Sequence, residues 1–294
     1  MSFQEYMTFL EELAAQGGPK PEQDKILSDT LDRLYQDLQL GNISTNELSK
    51  IRSKMNFTPE TMQGFVYLKP NGYAGCFETI DRIYQCYHAQ NPNLYNWDRY
   101  WHNHPAAQAV RNRKDYFLNL VNSEIEKRGN LTILNLASGP CRDIFELFEE
   151  ISSDLPVTIH CVEQDRRAIS YAKNLCKAHL HKMVFYHANV LRFLPKEKFD
   201  LVWSAGLFDY LNNRIFVKML AKLANKVKSR GELIIGNFSP INPSHAYMNL
   251  VDWLLIYRSS EDLCRLALDA GFSSDRIEVK SEPLLINFFL HIKL

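Results

Sequence analysis

The sequence predicts an α/β fold, a mostly parallel sheet with helices on both faces and an antiparallel closing strand, preceded by a helical N-terminal region. Three observations predict it. After residue 130, short apolar runs alternate with helix-like segments on a pitch of roughly 20 to 30 residues. The run Leu131, Ile133, Leu134, Leu136 enters a turn of small residues, Ala137, Ser138 and Gly139, with a helix-like segment directly behind it. The first 60 residues carry apolar stripes at helical spacing instead.

In the N-terminal region, Phe9, Leu10 and Leu13 form one stripe, and Ile26, Leu27, Leu31, Leu34 and Leu38 form a second. Gly17-Gly18-Pro19-Lys20-Pro21 breaks the chain between them. Ser44 with Glu47 three residues on has the spacing of a capping box, so a third helix starts there. These stripes need a partner surface: the main domain, a site they close over, or a second copy in a homodimer. Pro70-Asn71-Gly72 marks a turn. Residues 91–105 then gather Tyr95, Trp97, Tyr100 and Trp101 beside His102 and His104, which suits a satellite core or the wall of a substrate pocket. Residues 106–127 read as one amphipathic helix with Val110, Phe117, Leu118 and Val121 inward; Arg111 and Arg113 read as solvent charges unless an anion lies near.

The alternating part reads as strand 131–136, helix 143–151, strand 157–162, helix 166–178, strand 183–186, strand 199–203 and helix 213–227. A turn at Ser229-Arg230-Gly231 leads to strand 232–237. An insertion follows, with helices over 246–257 and 260–270, and the runs 276–279 and 284–291 make a closing hairpin whose Ile286, Phe288 and Phe289 are inward. The expected division is a helical region, 1–126, serving as a lid or substrate-binding part, and an α/β domain, 127–294, with its insertion at about 242–272.

With 34 basic and 34 acidic residues the formal charge is zero, which argues against a nucleic-acid binder. No basic segment followed by an apolar run opens the sequence, and no stretch of 18 apolar residues occurs, so a cytoplasmic protein without a transmembrane segment is expected. Six dispersed cysteines without a CxxC pair, and histidines without zinc spacing, give reduced thiols and no metal.

Chemistry concentrates at the ends of the strands. Glu163, in Cys161-Val162-Glu163-Gln164-Asp165, stands where an acid can accept from the two hydroxyls of a ribose, while Asp165 is placed to cap the next helix. Pro140 removes one backbone N–H from the turn after the first strand, which disfavours a pyrophosphate cradle and hence NAD or FAD. Asn189, after the third strand, could meet an adenine amino group or simply form a loop turn.

This series resembles the class I S-adenosylmethionine-dependent methyltransferases, whose fold is Rossmann-like. The resemblance implies S-adenosylmethionine as cofactor and a contact set of Asn135, Ala137, Ser138, Gly139, Glu163, Gln164, Asn189, Ser204 and Gly206. Asn135 stands where that family usually has an acid, and Asn189 where Asp is commoner, so the contact to the cofactor's amino or sulfonium region is expected to be weaker. KPNGYAG (69–75), AVRNRKDY (109–116), NLASGPCRD (135–143), SAGLFDYL (204–211), GNFSPINPS (236–244) and VDWLLIYR (251–258) are similar to bacterial 3-hydroxypalmitic acid methyl ester biosynthesis proteins, over residues 65–294. Cys76 departs from the Asp expected after GYAG.

The expected reaction is methyl transfer to a small carboxylated or hydroxylated, fatty-acyl-like substrate. Arg258 with Tyr257 is the expected grip on a carboxylate, and Asp209 or His245 the base for a hydroxyl, Asp209 serving equally as a contact to the cofactor's amino group. Tyr73, Trp101, Arg113, Tyr210, Tyr247 and Trp253 are the expected substrate contacts. The alternatives are a protein or peptide methyltransferase and a catalytically silent cofactor-binding interaction module.

Overall fold

A computed structural model describes residues 1–150, 156–193 and 195–294. In chain order the helices are α1 (Phe3–Ala15), α2 (Asp24–Gln39), α3 (Thr45–Arg52), α4 (Met62–Leu68), α5 (Phe77–Tyr84), α6 (Tyr95–Asn103), α7 (Pro105–Arg128), α8 (Arg142–Glu150), α9 (Arg166–Leu175), α10 (Asn213–Ala224), α11 (His245–Leu250) and α12 (Ser260–Asp269). The strands are β1 (Leu131–Leu136), β2 (Val157–Glu163), β3 (Met183–His187), β4 (Phe199–Ser204), β5 (Val227–Phe238), β6 (Ile277–Ser281) and β7 (Asn287–Lys293). Two compact units result: Met1–Gln108 with Pro243–Leu254, and Ala109–Asn242 with Leu255–Leu294. The division falls inside α7, where the sequence suggested a boundary after residue 126, and part of the insertion groups with the N-terminal helices.

In the helical unit, Ser2 with Glu5 and Ser44 with Glu47 form capping boxes that start α1 and α3. Leu10, Leu13, Leu27, Leu31 and Leu34 are buried as their spacing requires, whereas Ile26 is 55% exposed because it stands about 100° around the helix from Leu27. Residues 243–254 are tied in by polar contacts. Arg52 Nε donates to the Leu250 carbonyl (2.8 Å), the Tyr247 hydroxyl donates to Gln63 Oε1 (2.7 Å), and His104 Nδ1 shares a hydrogen bond with Ser244 Oγ (2.7 Å).

In the α/β unit the described strands form one sheet in the order β3-β2-β1-β4-β5-β7-β6. The strands β1 to β5 pair in parallel; β7 runs antiparallel to both β5 and β6, as the closing hairpin predicted. Side chains alternate between two cores. Leu134, Leu136, Val202, Leu233 and Leu290 meet Phe216 and Leu220 of α10 and Leu263 of α12. Ile133, Trp203, Ile234 and Phe289 meet Phe117 and Val121 of α7 and Leu147 of α8. From β1 the sheet extends to β2 on one side and β4 on the other, the switch point at whose carboxyl ends open α/β sheets place their ligands.

Several expected elements change. Helix 246–257 stops at Leu250: Asp252 takes a left-handed φ of 57°, and the backbone N–H groups of Ile256 and Arg258 bond to the carbonyls of Asp209 and Phe238 instead of to a helix. Ser229-Arg230-Gly231 lies inside β5 as an irregularity. Val227 pairs with Phe199 but Glu232 with Leu201, and Arg230 at φ 65° donates to the Leu294 carbonyl (2.7 Å). The helix expected over 166–178 becomes α9 followed by a 3-10 turn, Lys177–Lys182. Helix 213–227 ends at Ala224, and Ile151, expected to end α8, lies outside the described residues.

Candidate functional site

The turn from β1 to α8 is held in unusual backbone conformations. Ala137 and Cys141 have φ of 51° and 55°, left-handed values that cost a side-chain-bearing residue on the order of 1–3 kcal/mol each. Gly139, at φ 55°, has nothing within 4 Å of where a Cβ would sit, so bare backbone faces open space there. The turn is fixed from β2: Ala137 N–H donates to the Val162 carbonyl (2.8 Å) and Gly139 N–H to Glu163 Oε2 (3.0 Å). Glu163 Oε1 accepts from the N–H groups of Gln164 (2.7 Å) and Asp165 (2.9 Å). Three backbone donors thus orient one carboxylate, 5% exposed, at the end of β2.

Two buried polar atoms at this turn have no partner, Asn135 Nδ2 and Ser138 Oγ. An unsatisfied buried donor costs roughly 1–3 kcal/mol, which a ligand can recover. Asn189 Nδ2 donates to Gln164 Oε1 (2.9 Å) and its Oδ1 accepts from Leu191 N–H (2.9 Å), so this amide links the ends of β2 and β3 and also makes the loop turn. Asp165 caps α9 by accepting from Arg167 N–H (2.8 Å). Ser204 is fully buried, its hydroxyl 3.5 Å from the Leu136 carbonyl across β4 and β1.

Behind β4, Arg113 reaches from α7 toward the loop. Its Nη1 donates to the Ala205 carbonyl (3.3 Å) and the residue is 5% exposed, so it is not the solvent charge that helix position alone suggests. Asp209 Oδ1 accepts from Phe238 N–H (2.7 Å). Burial pushes the Asp209 carboxyl up to about 7, against the pull of that hydrogen bond and of Arg113 and Arg258. Asp143, at the start of α8, is raised to about 6 by burial, again opposed by an N–H and by Arg113. In the sequence, only its place at the end of the NLASGPCRD motif marks Asp143.

Arg258 requires a correction. Its Nε donates to Asn213 Oδ1 (3.2 Å), Nη1 to the Phe208 carbonyl (3.0 Å) and Asn237 Oδ1 (2.7 Å), and Nη2 to the Leu211 carbonyl (2.5 Å) and Asn213 Oδ1 (3.0 Å). With every guanidinium nitrogen engaged and the residue 2% exposed, it fixes the 208–213 loop that carries Asp209 and does not offer a fork to a substrate carboxylate. Tyr210 in the same loop is 48% exposed.

The remaining expected substrate residues lie in the helical unit. Trp101, Tyr247 and Trp253 pack together, with ring centroids 5.4 Å apart for Trp101 and Tyr247 and 6.4 Å for Trp101 and Trp253. They are 4%, 3% and 6% exposed, which makes them core. His245 sits edge-on to Tyr35 at 5.2 Å, and burial lowers its pKa. Tyr73 lies at the surface, and Cys76, fully buried, is the N-cap residue of α5.

Residues 127–267 match the family model of a methyltransferase domain. A crystal structure of a possible exported protein from Bordetella parapertussis superposes with a TM-score of 0.63 at 13% identity, over 100% of this chain and 97% of that one. Magnesium protoporphyrin IX methyltransferase from Synechocystis PCC 6803, solved with bound S-adenosylhomocysteine, gives a TM-score of 0.53 at 14% identity, over 79% of this chain and 99% of that one. No protein of curated function matches the sequence. The strand order, the antiparallel β7 and the domain match define the class I fold of S-adenosylmethionine-dependent methyltransferases. Residues 127–267 thus form the methyltransferase domain of an enzyme whose cofactor is S-adenosylmethionine. The residues present fit it: Asn135 Nδ2 and Ser138 Oγ lack partners, and the space over Gly139 is open beside an oriented Glu163. Among the described residues no helix is long and apolar enough to cross a membrane.

Proposed function

We propose that the enzyme methylates an oxygen, a carboxylate or hydroxyl, on a small molecule with an apolar, fatty-acyl-like body, and that the set from Asn135 to Gly206 holds the cofactor, with Glu163 on its ribose. The observation that supports the apolar acceptor is a rim of exposed side chains at the carboxyl end of the sheet. Tyr210, Ile241, Ile256, Leu284 and Leu285 are 48%, 60%, 38%, 39% and 50% exposed. They stand on loops bonded to one another: Ile256 N–H donates to the Asp209 carbonyl (2.8 Å), Arg258 N–H to the Phe238 carbonyl (3.0 Å) and Ser239 Oγ to the Leu285 carbonyl (2.6 Å). Exposed apolar side chains on loops bonded to one another beside a cofactor loop favour an apolar ligand. The motif likeness to 3-hydroxypalmitic acid methyl ester biosynthesis proteins supports the same class.

When bound, the cofactor supplies a methyl group on a sulfonium, open to in-line displacement. The chain's part is alignment and exclusion of water. A carboxylate nucleophile, with an ordinary pKa near 4, is already ionised at neutral pH and needs no base. The test is transfer of labelled methyl to fatty acids and hydroxy acids of increasing chain length. Each methylene buried in the transition state contributes about 0.8 kcal/mol, so kcat/KM should rise about fourfold per methylene until the rim is covered. A flat series, or transfer only to short polar acids, would reject the apolar acceptor.

A further inference from the structure

The loop after β4 contains a notch that the fold alone does not require. A Cβ built on Gly206 would stand 2.9 Å from Arg113 Nη1 and 3.6 Å from Asp209 Oδ2. A guanidinium and a carboxylate oxygen therefore face the same small space, and only glycine leaves it open. Both side chains are anchored from behind, Arg113 Nη1 on the Ala205 carbonyl and Asp209 Oδ1 on Phe238 N–H, so their reach is set before any ligand arrives. On β1, where an acid would meet a bound ammonium, the chain has the neutral Asn135, 2% exposed, with its Nδ2 unsatisfied.

We infer that Arg113 and Asp209, on either side of Gly206, hold the amino-acid end of the cofactor, the guanidinium taking its carboxylate and Asp209 Oδ2 its ammonium, and so replace the charge that Asn135 lacks. The assignment rests on the methyltransferase reading and adds to it the source of both charges. A zwitterion needs one donor fork and one acceptor in a single dry recess, and charge-assisted bonds of this kind are about twice as strong as neutral ones. Burial has already raised the Asp209 carboxyl, and an incoming ammonium supplies the partner that favours its charged form. Arg258, bonded to Phe208, Leu211 and Asn213, is then a positioning residue, keeping Asp209 beside the notch.

The experiment is calorimetry on the full chain with two ligands, S-adenosylhomocysteine and 5'-methylthioadenosine, which keeps the adenosine and thioether but has no amino-acid end. The wild type should bind the first at least about tenfold more tightly. Arg113→Gln and Asp209→Asn should each weaken the first by about tenfold or more and leave the second within about twofold, with Arg113→Lys intermediate. Unchanged 5'-methylthioadenosine binding is the check that a variant is folded. Should Arg113→Gln not fold, Gly206→Ala puts a methyl group into the notch and should lower the same ratio. Equal weakening of both ligands would overturn the assignment, because a merely structural pair treats them alike; so would a wild type that does not discriminate. Binding of neither ligand to the wild type would overturn the cofactor reading itself.

Discussion

Each compact unit contains a buried polar knot, and the two are finished differently. In the helical unit, Tyr100, His104 and Ser244 form a chain: the Tyr100 hydroxyl is 3.0 Å from Ser28 Oγ and 3.2 Å from His104 Nε2, His104 Nδ1 is 2.7 Å from Ser244 Oγ, and Ser244 Oγ also accepts from Ala106 N–H at 3.0 Å. Both ring nitrogens and all three hydroxyls have partners, and none of these groups needs a charge. In the α/β unit, the knot around the β1 turn has oriented charges at Glu163, Arg113 and Asp209 but leaves Asn135 Nδ2 and Ser138 Oγ unsatisfied. A network complete in itself specifies packing, whereas unsatisfied polar groups next to open backbone can be satisfied by a ligand. Trp101 and Tyr247, which look like site residues by type, are buried in the core of the helical unit, while Arg113, which looks like a surface charge, is buried against the loop after β4.

The largest effect is expected at His104. Replacing it with alanine leaves Ser244 and Tyr100 short of partners and opens a void, so the denaturant midpoint should fall by the equivalent of about 2–4 kcal/mol. A cost below about 1 kcal/mol would mean that the knot does not hold residues 243–254 to the helices.

The two knots should also respond to pH in opposite directions. Burial lowers the His104 pKa from its ordinary 6.5 to about 4, so its contribution to stability is present above 6.5 and lost as pH falls through about 4. Asp209 is raised from 3.8 to about 7, so its contribution in the ligand-free protein is present below 3.8 and lost as pH rises through about 7. A bound ammonium needs the ionised carboxylate. Affinity for S-adenosylhomocysteine should therefore fall by up to about tenfold per unit below pH 7, while that for 5'-methylthioadenosine stays flat. Parallel profiles for the two ligands would remove Asp209 from the ammonium contact.

The smallest effect is expected at Ser138. Ser138→Ala removes a hydroxyl that has no bond to lose, so ligand-free stability should stay within about 0.5 kcal/mol while cofactor affinity drops several-fold. A stability loss above about 1.5 kcal/mol, by chemical denaturation, would show that the hydroxyl is structural.

Elements whose signals are local are legible in the amino-acid order. Apolar runs, small-residue turns and caps placed β1, the β1 turn, Glu163 at the end of β2, the Ser44 capping box and the closing hairpin, because each depends on neighbours within a few residues. Which polar groups are satisfied depends on the assembled fold. Arg258 and Arg113 are both arginines near aromatic residues in the sequence, but Arg258 meets four acceptor residues brought from 208–213 and 237, while Arg113 faces a glycine notch in the loop after β4. Residues 243–254 likewise join helices nearly 200 positions away, through Arg52 and the Leu250 carbonyl, 198 apart. Hydrogen-bond partners over such separations are set by chain topology and burial, and local periodicity carries no record of them.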